Sequence, residues 1–272
     1  MKPTGKIILA FMVSLLAYSC ELDHSLDMEL PAGEPILMVE AYLTEGEPFQ
    51  ILAFKSTTLQ EPVRINLIWN ASVYIINGND TVKLKNIMKF DRTTGYLYNY
   101  LHDKLVTENI TEYELYIEIE GHSPVRAVTS PVGEVHIEDV RYNGSVLEVK
   151  SRNLDNPSSN FYKLRLSSFS GGSLQVVNQI ISDMHNLPEG EITISLPLVE
   201  EVYDSLRVDL YRINSTAFDY HRSITNALSA NRDPFTPPGA FRGNVENAWG
   251  IFTCVSRAGY TLYSEDQPEI YP

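Results

Sequence analysis

The chain has 272 residues, of which 21 are basic and 35 acidic, so its formal net charge is −14. Negative charge in this excess repels nucleic-acid phosphates and anionic lipid headgroups, which excludes nucleic-acid binding and purely electrostatic membrane binding from the expected functions. The length suffices for two domains, each with its own core.

The N-terminal segment has the anatomy of an export signal. Two lysines precede an apolar run, Ile7 to Ala17, that is too short to cross a bilayer as a helix. The next residues, Tyr18-Ser19-Cys20, resemble the end of a bacterial lipobox, with tyrosine in place of the usual small residue. We therefore predict that residues 1–19 are a cleaved signal peptide and that Cys20 carries acyl chains such as palmitate. The alternative is an ordinary signal peptide followed by an incidental cysteine.

Residues 20–34 are predicted to form the lipidated N-terminus and an acidic tether. Removal of residues 1–19 takes away two lysines and no acidic residue, which leaves 19 basic and 35 acidic residues and a net charge of −16. Glu21 and Asp23 partly resemble the acidic signal that sends some lipoproteins to the cell surface, and a merely soluble linker is the alternative. Membrane attachment is then expected to come from the lipid.

The chain has two cysteines. If Cys20 is acylated, Cys254 has no partner, and an exported protein lacks an internal disulfide. Cys254 lies in the strand-like run Trp249 to Val255, so we predict a buried, unreactive thiol.

Short runs of β-branched and aromatic residues, separated by turn residues, begin at Pro35. The predicted strands are Ile36–Leu43, Phe49–Lys55, Ser72–Asn77, Thr81–Lys85, Tyr96–Leu101, Glu112–Glu120 and Pro124–Ser130. Asn77 to Asp80 predicts a hairpin turn, since these residues tolerate positive φ. From Tyr113 apolar residues alternate with glutamates, which indicates one buried face. Residues 35–130 are therefore expected to form an antiparallel β-sandwich of immunoglobulin or fibronectin type III kind.

Residues 131–133 are interpreted as a hinge to a second β-sandwich, residues 134–265, followed by a tail, residues 266–272. Its predicted strands are His136–Tyr142, Ser145–Ser151, Phe161–Ser168, Leu174–Ile181, Glu191–Ser195, Ser205–Ile213, Gly250–Ser256 and Gly259–Tyr263. The fold class is thus mostly β, with two tandem sandwiches.

One helix, near residues 215–229, is predicted within the second sandwich, with Ser215 as its N-cap. One face carries the apolar or aromatic residues Ala217, Tyr220, His221, Ile224, Ala227 and Leu228 at helical spacing. We expect this helix to lie over one sheet or to cap an end of the sandwich, and His221 to pack rather than to act as a base.

The order of these features resembles a family of Bacteroidota lipoproteins known as domain of unknown function 4249. Besides the lipobox, the matching segments are Leu30-Pro31, Pro35 to Thr44, Tyr113 to Ile117, Ser215 to His221, Asn231 to Pro238 and Gly243 to Phe252. At residues 247–252 this chain reads Asn-Ala-Trp-Gly-Ile-Phe, where the family more often has an extra glycine and Leu-Gly-Tyr-Phe. The resemblance implies an outer-membrane lipoprotein, often encoded beside a TonB-dependent transporter, and implies no catalytic residues.

Motifs for enzymatic or metal chemistry are not found in the sequence. Gly171-Gly172-Ser173 lacks the pattern of a nucleophile elbow, and the six histidines are not paired at metal-ligand spacing. We predict no enzyme activity, no metal and no cofactor.

Two stretches have the composition of a binding surface. Tyr96, Tyr98 and Tyr100 alternate along one strand, and tyrosine rings can stack on sugars or peptide side chains, although aromatic residues are also ordinary packing residues of strands. Phe241 and Arg242 lie in the loop from Asn231 to Asn247, for which a binding loop and a structural brace are both open.

Two tripeptides, Asp80-Thr81-Val82 and Asp204-Ser205-Leu206, resemble the acceptor motif for O-linked glycans on exported Bacteroidota proteins, so Thr81 and Ser205 are candidate glycosylation sites. Intact-mass measurement of native protein tests this hypothesis, and a mass of polypeptide plus lipid alone would dismiss it.

Taken as a sequence, the chain is expected to be a non-enzymatic outer-membrane lipoprotein, lipid-anchored on the periplasmic or the surface side, that serves as an accessory or surface-binding component associated with a TonB-dependent nutrient transporter. An adhesion or appendage-anchoring lipoprotein is the first alternative, since sandwich domains also assemble by strand addition. A hydrolase comes last, because its motifs are missing.

Overall fold

The computed structural model of the chain describes residues 34–58, 62, 64–78, 80–92, 94–107, 110–142, 145–155, 160–170, 173–198, 204–232 and 240–263. The predicted signal peptide, Cys20, the acidic tether and the C-terminal tail lie outside the described residues. Contacts divide the chain into one unit, Pro35–Thr57 with Val63–Pro272, and a second, Met1–Glu34 with Thr58–Pro62. All the elements given below belong to the first unit.

The described chain is mostly β-structure with one helix, as predicted. Its strands are β1 (Leu37–Thr44), β2 (Pro48–Lys55), β3 (Asn66–Leu67), β4 (Ala71–Asn77), β5 (Asp80–Lys83), β6 (Lys85–Asp91), β7 (Tyr96–Leu105), β8 (Tyr113–Ile119), β9 (Val125–Thr129), β10 (Asp139–Tyr142), β11 (Val146–Asn153), β12 (Phe161–Ser170), β13 (Ser173–Asp183), β14 (Gly190–Pro197), β15 (Ser205–Ile213) and β16 (Trp249–Tyr263), and its helix is α1 (Ser215–Arg232).

The described strands form three sheets. The largest has nine strands in the order β13-β12-β15-β16-β1-β2-β7-β6, with β3 beside β2. A second sheet has the order β5-β4-β8-β9 and a third the order β10-β11-β14. The predicted hairpin at Asn77 is confirmed, because Asn77 pairs with Asp80 and Gly78 has a φ of 59°.

Strand β16 joins the two halves of the nine-stranded sheet. Residues 249–255 pair in parallel with β1, and residues 256–263 pair antiparallel with β15. The sequence predicts antiparallel pairing, which is wrong for β1 and β16. It also predicts two strands, Gly250–Ser256 and Gly259–Tyr263, where the structure has the single strand β16. Gly259 pairs with Asp209 in unbroken register, and a Cβ atom there would lie 3.4 Å from Asp209 Oδ1. The glycine thus makes room for a carboxylate instead of ending the strand.

Two apolar cores lie between sheets. The first packs alternate residues of β1 (Val39, Ala41 and Leu43) against the matching positions of β8 (Tyr113, Leu115 and Ile117), so the predicted period-two pattern of β8 is confirmed. The second core packs β12 and β15 against β11 and β14. Cys254 is 3% exposed in the first core, and burial raises the pKa of its thiol to about 12, which agrees with the predicted inert cysteine.

Strand β6 is absent from the predicted elements, which instead extend the preceding strand to Lys85. Asn86 pairs with Tyr100 and Lys89 with Tyr98, so Ile87 and Met88 together stand opposite a single residue of β7. This bulge breaks the alternation on which strand prediction depends.

Helix α1 begins at Ser215, as predicted, but its N-cap is one residue earlier than predicted. Asn214 Oδ1 accepts a hydrogen bond from the Ala217 amide at 2.9 Å, and the Asn214 carbonyl accepts one from the Phe218 amide at 3.0 Å. Asn214 is therefore the N-cap, and the prediction of Ser215 is wrong by one position. Leu228, predicted on the packed face, is 55% exposed.

The loop that leads into β16 is tied to the first core. The Asn244 side chain makes two hydrogen bonds with the Phe252 backbone. Its Oδ1 accepts from the Phe252 amide at 3.0 Å, and its Nδ2 donates to the Phe252 carbonyl at 2.8 Å. Gly250 has a φ of 130°, and a Cβ atom there would lie 1.8 Å from the Val39 carbonyl oxygen, so only glycine fits this approach of β16 to β1. The described part of the loop thus acts as a brace, one of the two roles left open by the sequence.

Candidate functional site

Polar side chains occupy the face of the nine-stranded sheet that is opposite the second core. On β12 they are Lys163, Arg165 and Ser167, and on β15 they are Arg207, Asp209 and Tyr211, alternating with the leucines and valine of that core. Such alternation ordinarily indicates a face in contact with water. Here Lys163, Arg165 and Asp209 are only 8%, 6% and 1% exposed, so a polar surface is buried.

Two elements cover this polar face. The turn between β6 and β7 reaches β12, because Arg165 Nη1 donates a hydrogen bond to the Thr94 carbonyl and the Arg165 guanidinium lies 5.9 Å from the centre of the Tyr96 ring. From the other side, α1 packs Ala217 and Phe218 onto a small cluster that includes Phe161, Ile213 and Val255. Of the two placements predicted for the helix, lying over a sheet is the one observed.

A cavity of about 40 Å³, which we call the tyrosine pocket, lies between the sheet and these covers. Its floor consists of Tyr42 and Thr44 of β1, Lys163 of β12, Tyr211 and Ile213 of β15, and Val255 and Arg257 of β16. Its walls consist of Thr94, Tyr96 and Tyr98 from the β6–β7 hairpin, His221 from α1, and Glu47 from the β1–β2 turn. The Glu47 side chain is 45% exposed and marks the side that faces solvent.

Aromatic rings hold the walls against the floor. The Tyr42 ring stacks on the His221 ring at 6.0 Å with an interplanar angle of 4°, and it lies 5.6 Å from the Tyr96 ring. Tyr96 in turn lies 6.3 Å from Tyr98. These separations lie in the range of favourable aromatic pairs, so the strand, the helix and the hairpin are joined at the pocket.

Asp209 is the buried anion beside the pocket. Its Oδ1 accepts hydrogen bonds from Arg257 Nε at 3.1 Å, from Arg257 Nη2 at 2.9 Å and from Arg207 Nε at 3.0 Å. Arg257 Nη1 lies 3.9 Å from Glu47 Oε1, at the solvent side. One carboxylate therefore holds two guanidinium groups in place, with charge-assisted bonds.

Lys163 is a buried cation without an ion pair among the described residues. Arg165 and Arg212 are also buried and also lack an ion pair there, but each donates a hydrogen bond to a carbonyl oxygen, whereas no such bond is observed for Lys163. Burial, with a contribution from Arg165, lowers the pKa of its amine to about 8, and Glu40 offsets only part of that. A buried cation that lacks a partner costs stability, so its presence in a cavity points to a functional role.

The hydroxyl groups around the pocket differ in their partners. Tyr220 donates to Glu40 Oε1 at 2.7 Å, which engages one oxygen of that carboxylate. The Tyr211 hydroxyl is buried and has no hydrogen-bond partner among the described residues, and burial raises its pKa to about 12. Burial also raises the pKa of Tyr42 and of Tyr98, so these groups remain neutral donors at physiological pH.

His221 is unsuited to general base catalysis. Burial and the nearby Lys163 lower the pKa of its imidazole to about 3, whereas an effective base has a pKa near the operating pH. Within the described residues, no group of three or more His, Cys, Asp or Glu side chains is arranged to hold a metal ion. The arrangement is suited to binding by hydrogen bonds, stacking and charge.

Replacing His221 with phenylalanine is expected to reduce the sensitivity of the fold to acid. The folded pKa of about 3 lies below the ordinary 6.5, so between these values the unfolded chain takes up a proton that the folded chain refuses, and stability falls as the pH falls. The variant lacks this loss, and its stability relative to wild type should rise by about 2–3 kcal/mol between pH 7.5 and pH 4.5.

Urea unfolding at the two pH values measures the difference, with replacement of the exposed His136 by phenylalanine as the control. Equal acid sensitivity of wild type and His221→Phe would show that the imidazole is charged in the folded protein.

The structure separates the three tyrosines singled out in the sequence. Tyr96 and Tyr98 line the tyrosine pocket, as a binding role requires. Tyr100 is 1% exposed in the first core, and its hydroxyl accepts a hydrogen bond from the Ala71 amide at 3.0 Å. Its role is therefore structural.

The other candidate residues lie away from the pocket. Phe241 packs between Tyr220 and Trp249, with ring centres at 5.2 Å and 5.4 Å, and does not line the pocket. Arg242 is exposed in an open cleft beside Arg222. Thr81 is exposed on β5, and Ser205 begins β15, where it pairs with Tyr263.

Comparison with known protein families gives one match. A family model described as a domain of unknown function, DUF4249, matches residues 23–261. The chain belongs to the DUF4249 family. No curated protein matches it. Within the described part of this DUF4249 protein, no helix combines the length and apolar character required to cross a lipid bilayer.

The sequence indicates only part of the pocket. Lys163, Arg165, Asp209, Tyr211 and Arg257 lie on β-strands at positions that alternate with apolar residues, and that pattern predicts exposure to water. These residues are shielded from water because the β6–β7 turn and α1 pack over them. That packing depends on tertiary structure and cannot be recognised from the local sequence.

Proposed function

We propose that this DUF4249 protein is a non-enzymatic lipoprotein of the outer membrane, anchored through Cys20, that binds a small ligand in the tyrosine pocket and works beside a TonB-dependent nutrient transporter. The observation that carries the binding role is a buried Lys163, without an ion pair among the described residues, in a cavity that it shares with four tyrosines and Arg257. Convergent polar groups with perturbed pKa in a cavity are typical of binding sites.

The anchoring role is supported by the export signal and the lipobox-like residues before Cys20. We also propose that the two cores belong to two tandem sandwiches of immunoglobulin or fibronectin type III kind, over residues 35–130 and 134–265, with β16 contributing to both. In support, each core is enclosed between two described sheets.

Replacing Cys20 with alanine tests the anchor. Growth with a clickable fatty acid is expected to label the wild-type protein and not the variant, and outer-membrane fractions are expected to contain only the wild type, because the thiolate is the acceptor of the lipid. Replacing Cys254 with alanine is the matched control and should leave labelling unchanged. Equal labelling of Cys20→Ala and wild type would reject the anchor.

Co-purification from detergent-solubilised outer membranes tests the transporter. We expect a TonB-dependent transporter to be enriched with wild-type protein relative to membranes from a deletion strain. Repeated absence of any transporter would contradict the partnership.

One observation favours the alternative of an adhesion or appendage-anchoring protein. Strand β6 is at the edge of the nine-stranded sheet, and its side chains Ile87, Met88 and Phe90 are 51%, 62% and 59% exposed. Exposed apolar edge strands promote pairing with another chain. Detergent-resistant oligomers that disappear in Phe90→Lys would favour this function over a transporter accessory.

A further inference from the structure

Three donor groups form a row across the floor of the tyrosine pocket. In the registers of β12–β15 and β15–β16, Lys163 pairs with Tyr211 and Tyr211 pairs with Arg257. Directly opposed residues on one face have their Cβ atoms about 5 Å apart, and all three side chains line the same cavity. The row therefore presents an ammonium, a phenolic hydroxyl and a guanidinium to one small space.

The nearby acidic groups satisfy only Arg257 of this row. Asp209 is bound to Arg207 and Arg257, and one oxygen of Glu40 accepts the hydroxyl of Tyr220, so the side chains of Lys163 and Tyr211 have no ion pair or hydrogen bond among the described residues. Glu47 lies at the solvent side, where burial raises the pKa of its carboxyl and Arg257 offsets part of this effect. Lys163 also faces Arg165, another cation, and the neutral His221 and Tyr42.

The size of the cavity limits what can enter. A water molecule needs a cavity volume of about 10–15 Å³. The tyrosine pocket has a volume of about 40 Å³, so it holds a group of a few atoms and not a sugar ring. A wider cleft of about 630 Å³, lined by the end of β1 and residues 256–259 of β16, shares Thr44 and Arg257 with the pocket. A ligand can therefore place a small charged end in the pocket and its remainder in the cleft.

We propose that the tyrosine pocket binds the carboxylate group of an organic anion, with Lys163, Tyr211 and Arg257 as its ligands. This inference rests on the proposed binding function and names its ligand class. Charged donors and a hydroxyl around a flat, two-oxygen acceptor give short, charge-assisted hydrogen bonds. The carboxylate belongs to a free organic acid or to the C-terminus of a peptide that lies along the cleft.

The experiment follows the Lys163 side chain directly. The full mature chain, labelled with ¹³C at the lysine ε-carbons, is titrated with acetate, with inorganic phosphate, with triglycine and with triglycine amide while the NMR spectrum is recorded. Acetate is expected to shift the Lys163 signal with a dissociation constant of about 1–10 mM. Because an anion stabilises the ammonium form, the apparent pKa of Lys163 should rise with acetate, and binding should weaken as the pH rises above about 8.

The peptide arms identify the source of the carboxylate. Triglycine binding more tightly than acetate, with no binding of its amide, indicates a peptide C-terminus, whereas equal binding of acetate and triglycine indicates a free acid. Phosphate binding more tightly than acetate would overturn the choice of carboxylate.

Two variants test the row. Lys163→Met should weaken acetate binding at least tenfold, read from tyrosine ring signals, and Tyr211→Phe should weaken it about three- to tenfold while leaving the fold intact. Lys150→Met, at a surface ion pair, is the matched control and should bind like wild type. An unchanged Lys163 signal with every carboxylate would overturn the inference. That outcome leaves lipid labelling and transporter co-purification unaffected, so this inference and the proposed function can fail separately.

Discussion

Replacing Lys163 with methionine is expected to raise the free energy of unfolding at pH 7 by about 1–4 kcal/mol, because a well-packed apolar side chain replaces a buried and unpaired charge. The lysine is 8% exposed, and its pKa of about 8 lies below the ordinary 10.5. Methionine has a similar length and needs no partner. A stabilising substitution at a pocket residue would show that the protein retains this lysine at a cost to its stability.

The pH dependence of this increase in the free energy of unfolding distinguishes the effect of the removed charge from the effect of improved packing. Below pH 8 both the folded and the unfolded chain hold the lysine proton, so the full cost of the buried charge is present. Between pH 8 and 10.5 the folded chain loses the proton first, and wild-type stability rises with pH. The advantage of Lys163→Met should therefore shrink by about 1 kcal/mol between pH 7 and pH 9.

Urea unfolding at the two pH values measures both effects. Lys150→Met, which removes a surface ion pair with Glu191, serves as the control and should change stability by less than about 1 kcal/mol. A loss of stability in Lys163→Met at pH 7 would mean that the ammonium has a structural partner, contrary to the pocket described above.

Replacing Asp209 with asparagine is expected to lower the free energy of unfolding by about 3–5 kcal/mol. This carboxylate is 1% exposed and accepts from both Arg207 and Arg257, so its loss removes the counter-charge that these two partly buried guanidinium groups share. Asparagine keeps the shape, which confines the effect to charge and hydrogen bonding. Chemical unfolding at pH 7 measures it, with Asp183→Asn at an exposed pair with His185 as the control.

The double variant Lys163→Met/Asp209→Asn provides the second measurement. Since Lys163 and Asp209 lie on neighbouring paired strands, removal of a cation should recover part of the stability lost with the anion, by about 0.5–3 kcal/mol beyond additivity. Strict additivity would show that the two charges do not interact.

The sequence is sufficient to predict those strands and helices whose structure is decided by a local residue pattern. Ser205–Ile213 is predicted as a strand with the bounds that the structure has, and the apolar positions from Tyr113 are buried as predicted. The helix is found because its buried face follows a period of 3.6 residues. Its cap is misplaced because Asn214 and Ser215 are both good N-cap residues, and only the observed hydrogen bonds distinguish them.

A local residue pattern is insufficient to predict the environment of residues that are packed against distant segments of the chain. Tyr96 and Tyr98 line the tyrosine pocket, but Tyr100, two positions further on the same strand, pairs with Ile51 of β2 and packs in the first core. Lys163 and Asp209 follow a pattern typical of a wet face, and no local feature shows that a turn seventy residues earlier in the chain reaches Arg165.

The position of β16 in two halves of one sheet has a consequence for folding during synthesis. Its residues 249–255 complete the contacts of β1, made at the start of translation, and its residues 256–263 complete those of β15. Neither half is complete while these residues are still within the ribosome. The nine-stranded sheet therefore closes only after nearly the whole chain has been translated.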